Sequence, residues 1–426
     1  MTHSTPIRVD RQASDEDFAV AAAHALGTLQ QLTSRLLDSV PGLDPSRPID
    51  VANFLGLDLK LAWRMFRLAR AADPFEGCRH VPGAAGFRIW LDAVRRHGGT
   101  AAAIRESEVA FAGLQEVISR YAGSRRNFEM MIAGLARPGG DDRLDFEQHR
   151  QMFLGASYVW GIQARMVFRI DVLAPSQESG KADLATVRGA VDLRRLRPQV
   201  SWRIRNAGSI DDRGIHRPLP NRSPIDVRCT KDPATPPLLL DRCTSPLPEF
   251  RAHDLGEGQI EFEVVGGGVG RQGEQTVVAA ELIRGHEPSH RTDDYHGVHH
   301  VFSLRTPAET AVFDLFTHRD LVPKGKEIEM IHNSDLHHSI ERDGKPHRAC
   351  DRLPGANRPE HLGHGLERAG LRELDWYREM LAEVFDRIGW NPEDFELDRA
   401  VLNYPPVPST IVFEREFPDD ERPVLG

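Results

Sequence analysis

The sequence predicts an α+β protein, with an all-α N-terminal domain followed by a mostly antiparallel β-rich domain that carries one helix near its C-terminus. Two observations carry that class. Apolar residues recur at helical spacing up to about Gln163, and near Arg165 the period drops from 3.6 to 2. The strand-like runs beyond that point do not alternate with helices, which argues against a doubly wound parallel sheet and for a sandwich or barrel. The limits read as a polar, disordered tail over 1–14, a helical domain over 15–163, a β-rich domain over 164–417 and a polar tail over 418–426. Within the β-rich domain, residues 206–258 form an irregular segment rich in proline and glycine.

In the helical domain, Phe18, Ala22, Leu26, Leu29, Leu32 and Leu36 predict one long helix between Asp15 and Val40. Phe87, Leu91 and Val94 mark another that ends at Gly98-Gly99. Thr100 opens a third, with Ile104, Val109, Leu114, Val117 and Ile118 as its apolar positions and Gly123 as its close. Ser124 opens a fourth through Phe128, Met131, Ile132 and Leu135, and a fifth spans Leu144 to Gln163.

The stretch Pro48 to Arg70, PIDVANFLGLDLKLAWRMFRLAR, is the most informative in the chain. Pro48 suits a first helical turn, where its missing N–H is no loss. Gly56 sits where the chain must reverse, a position that favours positive φ. Asp58 is placed to cap a second helix that runs until Asp73-Pro74. Leu61, Ala62, Met65 and Leu68 form the inward row of that helix. Lys60, Trp63, Arg64 and Arg67 fall at i, i+3, i+4 and i+7, an outward stripe of three cations and one aromatic.

This stretch resembles the helix-turn-helix of bacterial transcriptional regulators. The small residue early in the first helix (Ala52), the turn glycine four residues later (Gly56) and the apolar Val51, Leu55, Leu57 and Met65 match in order; Ala62 departs, standing where a branched aliphatic is usual. The resemblance covers residues 48–70 only. It implies that the second helix enters the major groove and sets Lys60, Trp63, Arg64 and Arg67 against DNA.

In the second half, MVFRIDVLA, VRGAVDL, VSWRIR, IEFEVV, QTVVAAELI, HHVFSL, ETAVFDLFT, EIEMIH, AVLNY and STIVFER predict strands. PIDVRC and PPLLLD read as short strand-like pieces of the irregular segment. Leu374, Tyr377, Leu381, Val384 and Ile388 predict the one helix, ended by Gly389. The arginines Arg188, Arg194, Arg195, Arg197, Arg203 and Arg205 read as the exposed face of edge strands, where charge suppresses unwanted pairing, with an anion or phosphate-backbone patch as the alternative. GGGVGRQG reads as a β-hairpin loop, because it opens no helix and lacks the ending of a phosphate-binding loop. The HRD of FDLFTHRDL lacks every other element of a kinase.

Twelve of the nineteen histidines lie between His286 and His364, interspersed with carboxylates, a mixture that suits zinc, iron, manganese or nickel. His296, His300 and His332 are the metal-ligand candidates. His296 and His300 would share one strand face, but no glutamate follows them before Glu309, so the two-histidine pattern of cupin metal sites is only loosely resembled. No bound metal or other cofactor is expected.

The net charge of −9 requires any nucleic-acid contact to come from a local basic patch. No apolar run approaches a membrane span and the N-terminus has no hydrophobic signal core. The four cysteines are scattered without a CxxC pair, so reduced thiols in the cytoplasm are expected. These readings converge on a cytoplasmic DNA-binding transcriptional regulator acting as a homodimer without a membrane partner. Its β-rich domain would sense a small-molecule ligand, dimerise or bind a partner. The alternatives are a metal-dependent enzyme built on the histidine-rich region and a non-catalytic assembly protein.

Overall fold

In the computed structural model, helix α1 (Arg11–Asp38) forms the axis of an N-terminal helical unit. The structure describes residues 11–135, 142–205, 209–210, 216–217, 219, 221–229, 235–256, 259–290, 297–321, 329–333, 352–353 and 359–416. The two expected polar tails fall outside these except for residues 11–14, which belong to α1. Phe18, Ala22, Leu26, Leu29 and Leu36 of α1 are buried in the core of the unit. Around it lie α2 (Pro48–Leu55), α3 (Leu59–Ala69), α4 (Pro74–Cys78), α5 (Ala84–Arg96), α6 (Ala101–Val117) and α7 (Arg125–Leu135). Helices α3, α4, α6 and α7 pack directly on α1. The rings of Phe87 and Phe111 stack 4.2 Å apart between α5 and α6. Helix α6 continues into one π-helical turn, Ile118–Ala122, which Gly123 closes at φ 69°.

The α2–α3 corner follows from its residues. Gly56 adopts φ 63°, ψ 42° and ends α2. A Cβ built on it would meet nothing within 4 Å, so the demand for glycine is conformational rather than steric. The Asp58 carboxylate then accepts from the Lys60 and Leu61 amides at 2.9 and 3.3 Å, satisfying two donors of the first turn of α3. Val51, Ala52, Leu55, Ala62, Met65 and Leu68 are all buried.

The chain divides between Asp142 and Arg143, ahead of the last expected helix rather than after it. That helix, α8 (Asp142–Trp160), belongs with the strands: Phe146 and Phe153 pack on Tyr404 with ring centroids 5.2 and 5.3 Å apart. Aromatic contact with the strand-bearing part of the chain decides the membership, a long-range fact that helical spacing does not encode.

The C-terminal unit is built on β1 (Ile162–Pro175) and β2 (Lys181–Arg195). Short strands β3 (Trp202–Arg205), β4 (Ser209–Ile210), β5 (His216–Arg217) and β6 (Arg222–Pro224) follow, then β7 (Glu249–Gly256), β8 (Gln259–Val265) and β9 (Gln275–Pro288). After them come β10 (Gly297–Leu304), β11 (Ala308–His318), β12 (Glu329–Asn333) and β13 (Glu360–His364). Helix α9 (Tyr377–Ile388) precedes β14 (Phe395–Asn403) and β15 (Ser409–Glu416). A seven-stranded sheet runs β13-β14-β11-β1-β2-β9-β6, and smaller sheets run β10-β15-β12, β3-β8-β7 and β4-β5. Among the described residues, β1 and β11 are the one pair of strands that run parallel. The protein is thus α+β, mostly antiparallel in its strands, with the C-terminal helix on one face.

Strand β1 lies at the centre of the large sheet and is covered on both sides. Met166, Phe168, Ile170 and Val172 face Tyr377, Met380, Leu381 and Phe385 of α9 and its surroundings. Val167 and Leu173 share the opposite core with Trp202, Ile204, Ile411 and Phe413 of the smaller sheets. Gly189 of β2 is opposite Phe168, where a Cβ would lie 2.2 Å from the ring. On the helix side, Asp314 is fully buried between Arg399 and Tyr377, receiving bonds of 2.6 and 2.7 Å from the guanidinium and 3.0 Å from the phenol.

Two expectations are corrected here. Strand β2 is central, not an edge: Arg188 is paired inside with Glu281 and Arg195 with the Val264 carbonyl, and Arg194 pairs half-buried with Glu274. Of the six, Arg203 is exposed on the edge strand β3, paired with Glu261, and the Arg205 side chain lies outside the described residues. GGGVGRQG is no hairpin loop, since it carries the chain from β8 into a different sheet at β9. Its glycines permit close backbone approach: a Cβ on Gly273 would sit 1.9 Å from the Gly268 carbonyl oxygen.

Candidate functional site

The outward face of α3 is the first candidate. Lys60, Trp63 and Arg67 are exposed, Trp63 at 41%. The Arg67 guanidinium lies 5.2 Å from the Trp63 ring centroid, and the His80 ring meets the same indole edge-on at 5.2 Å. These contacts hold a large aromatic at the surface in a defined pose. Arg64 is different. It donates to the Val81 carbonyl at 2.7 Å, and Arg125 donates to the same oxygen at 2.6 Å. Partial burial, with the neighbouring Arg125 charge, pulls the Arg64 pKa below its ordinary value. Of the four residues expected to form one stripe, three face solvent together and Arg64 ties α3 to the segment after α4. The helical unit carries equal numbers of cationic and acidic side chains, so the whole net charge of −9 resides in the other unit.

The second candidate is a buried polar network on the strand side of β1. The Asp171 carboxylate, fully buried, receives Arg169 at 2.7 Å, the Thr186 hydroxyl at 2.8 Å and His300 Nδ1 at 3.3 Å. Burial alone would raise its pKa, but the Arg169 charge and the His300 bond outweigh that and hold it below the ordinary carboxylate range. His300 Nε2 lies 3.7 Å from Glu287, and His286 Nε2 reaches the other Glu287 oxygen at 3.7 Å. Burial lowers the His286 pKa. A cavity of about 10 Å³ beside Thr186, Arg188 and Glu281 has room for a single water at most. This network orders the interior between two sheets. The sequence signal for it was the pair of charges in RIDV, within a strand that is otherwise apolar.

Of the metal-ligand candidates, His296 lies outside the described residues. His300 on β10 and His332 on β12 both flank β15, opposite Phe413 and Ile411. Two strand spacings separate them, about 10 Å, whereas ligands of one zinc lie about 2 Å from the ion. His332 instead meets the Ser409 hydroxyl at 3.0 Å, and that hydroxyl donates to the Pro406 carbonyl at 2.6 Å. Its proton points away from the imidazole, the opposite of an activated nucleophile. Among the described residues no three His, Cys, Asp or Glu side chains gather to hold a metal ion.

Burial pushes the Cys78 thiol up to about 12 and the Cys243 thiol up to about 11, which leaves both unreactive. A cleft of about 220 Å³ is lined by Arg165, Asp192, Asp241, Arg242 and Trp376 among others. Its charges are already paired, Arg165 with Asp192, Asp241 with Arg228 and Arg242 with Glu383. Among the described residues no helix is long and apolar enough to cross a membrane.

No family model and no curated protein matches this sequence. One solved structure, described as a "putative protease" from Parabacteroides distasonis, is similar over 61% of this chain at 8% identity and a TM-score of 0.26. The chain spans 41% of that protein's length. A likeness that low carries no argument about fold or activity.

Proposed function

We propose that the protein is a cytoplasmic DNA-binding regulator whose helical unit places α3 in the major groove. The observation that carries this reading is α3 itself. Ala62, Met65 and Leu68 of its apolar row are buried and Leu61 is half-buried, its entry is fixed by Gly56 and Asp58, and it presents Lys60, Trp63 and Arg67 to solvent on one side. That is the arrangement a groove-reading helix needs: a rigid base, cations for phosphates and an aromatic for base edges. Arg70, exposed at the end of α3, adds a third cation. Arg64 serves as scaffold, not reader. A unit without net charge does not repel the duplex, whereas the chain as a whole would.

A mobility-shift titration of the full chain across salt concentrations tests this. Each phosphate contact adds about −0.9 to the slope of log K against log salt, so three cations give roughly −2 to −3. The double change Lys60→Ala and Arg67→Ala should flatten that slope by about two. A curve indifferent to salt, or untouched by the double change, would rule α3 out as the reader.

A further inference from the structure

Among the described residues of its own unit, helix α8 carries an apolar face that is covered only where the Arg197 guanidinium lies 5.0 Å from the Tyr158 ring centroid. Its buried side is Phe153 and Ser157. On the opposite side, Met152 (41% exposed), Tyr158 (73%) and Val159 (70%) surround Gly155, with Leu154 (46%) on the flank. From Gln151 to Trp160 the helix has no charged side chain, although its first half, Asp142 to Arg150, has several. A solvated helix face ordinarily carries charge. Gly155 is equally unexplained within the chain. It sits inside the helix, where glycine costs about 0.5–1 kcal/mol relative to alanine, and a Cβ built there would meet nothing within 4 Å.

We infer that this face is the site where a second copy of the chain docks, α8 crossing α8 antiparallel about a two-fold axis at Gly155. The pattern is self-complementary about that residue. A two-fold axis there sets Met152 of each copy against Tyr158 and Val159 of the other, and the missing side chain lets the two backbones approach. The four exposed apolar side chains offer on the order of 450 Å² per copy. A pair therefore buries at most about 900 Å², and with a rim of Gln148 and Gln151 about 1,000 Å², the low end for a specific interface and the size of a weak, reversible dimer. The inference deepens the DNA reading, because one neutral module with three cations needs a second copy to gain affinity. Its evidence is independent of DNA.

Sedimentation velocity of the full chain without DNA tests it. The wild type should sediment as a dimer at micromolar concentration. Gly155→Glu improves helix propensity and sets a charge against its own copy on the axis, so it should weaken the dimer at least tenfold. Val159→Glu should do the same, with circular dichroism and melting of the monomer unchanged. A wild type that stays monomeric up to about 100 μM, or variants that dimerise as tightly as wild type, would overturn the proposal. A dimer that is lost in both variants but never shifts DNA would leave this surface standing and remove the DNA reading alone.

Discussion

Helix α3 and strand β1 carry the same kind of pattern, charged side chains opposite an apolar row, each at its own period. In α3 the row Lys60, Trp63, Arg67 faces water. In β1 the row Arg169, Asp171 lies between two sheets, and Asp171 has no exposed surface at all. The difference comes from what covers each element. A surface helix needs only one buried face, and α3 has its own in Ala62, Met65 and Leu68. A central strand is covered on both faces, so its polar residues must find partners inside. Asp171 has them in Arg169, Thr186 and His300. The same alternation of charge and carbon therefore serves contact in one unit and internal order in the other.

That comparison is easiest to break at Asp171. Asp171→Ala leaves the largely buried Arg169 without its carboxylate, keeping only the Val301 carbonyl, and should cost about 3 kcal/mol, read as a lower denaturant midpoint of the C-terminal unit. A loss under 1 kcal/mol would mean the network is not the interior pin described here.

The next effect is one of pH. Burial, with His149 nearby, pulls His332 down to about 4. Its neutral form is favoured in the folded state, so the unfolded chain takes up a proton first as pH falls below about 6.5. Stability should be full above that value and should fall by on the order of 3 kcal/mol by pH 4. In His332→Gln that part of the slope should vanish, and an unchanged slope would place the titration elsewhere.

Within the helical unit, Gly56→Val forces a β-branched side chain to positive φ at a cost of about 1–2 kcal/mol or more. Thermal melting would register it, and an unchanged melt would place the α2–α3 turn elsewhere. The smallest expected effect completes the contrast with Asp171. Lys60→Ala with Arg67→Ala should stay within about 0.5 kcal/mol of wild-type stability, because those side chains face solvent. A large loss would show that the α3 stripe is structural after all.

Much of this architecture was legible because short-range chemistry wrote it. The α2–α3 corner needs a left-handed residue and a cap, and Gly56 and Asp58 announce both within three positions. The stripe was harder. Arg64 shares helical phase with Lys60 and Arg67, yet the Val81 carbonyl claims it, and no periodicity locates a carbonyl seventeen residues away. The arginines of β2 misled for a related reason. Charge in a strand suggests an edge, but Glu281 and Glu274 arrive from β9 and the segment before it, more than seventy residues downstream.

The sequence by itself determined the α+β class, the helix and strand periods, and the turn that sets α3 apart, because each depends on residues within a few positions of one another. Tertiary structure decided the rest. It assigned α8 to the strand-bearing unit through Phe146, Phe153 and Tyr404, and it put β2 at the centre of its sheet. It also parted His300 from His332 by the width of β15, giving the first to Asp171 and the second to Ser409. Histidines, arginines and carboxylates can each pair in several ways, and only the path of the chain selects the partner that burial then makes obligatory.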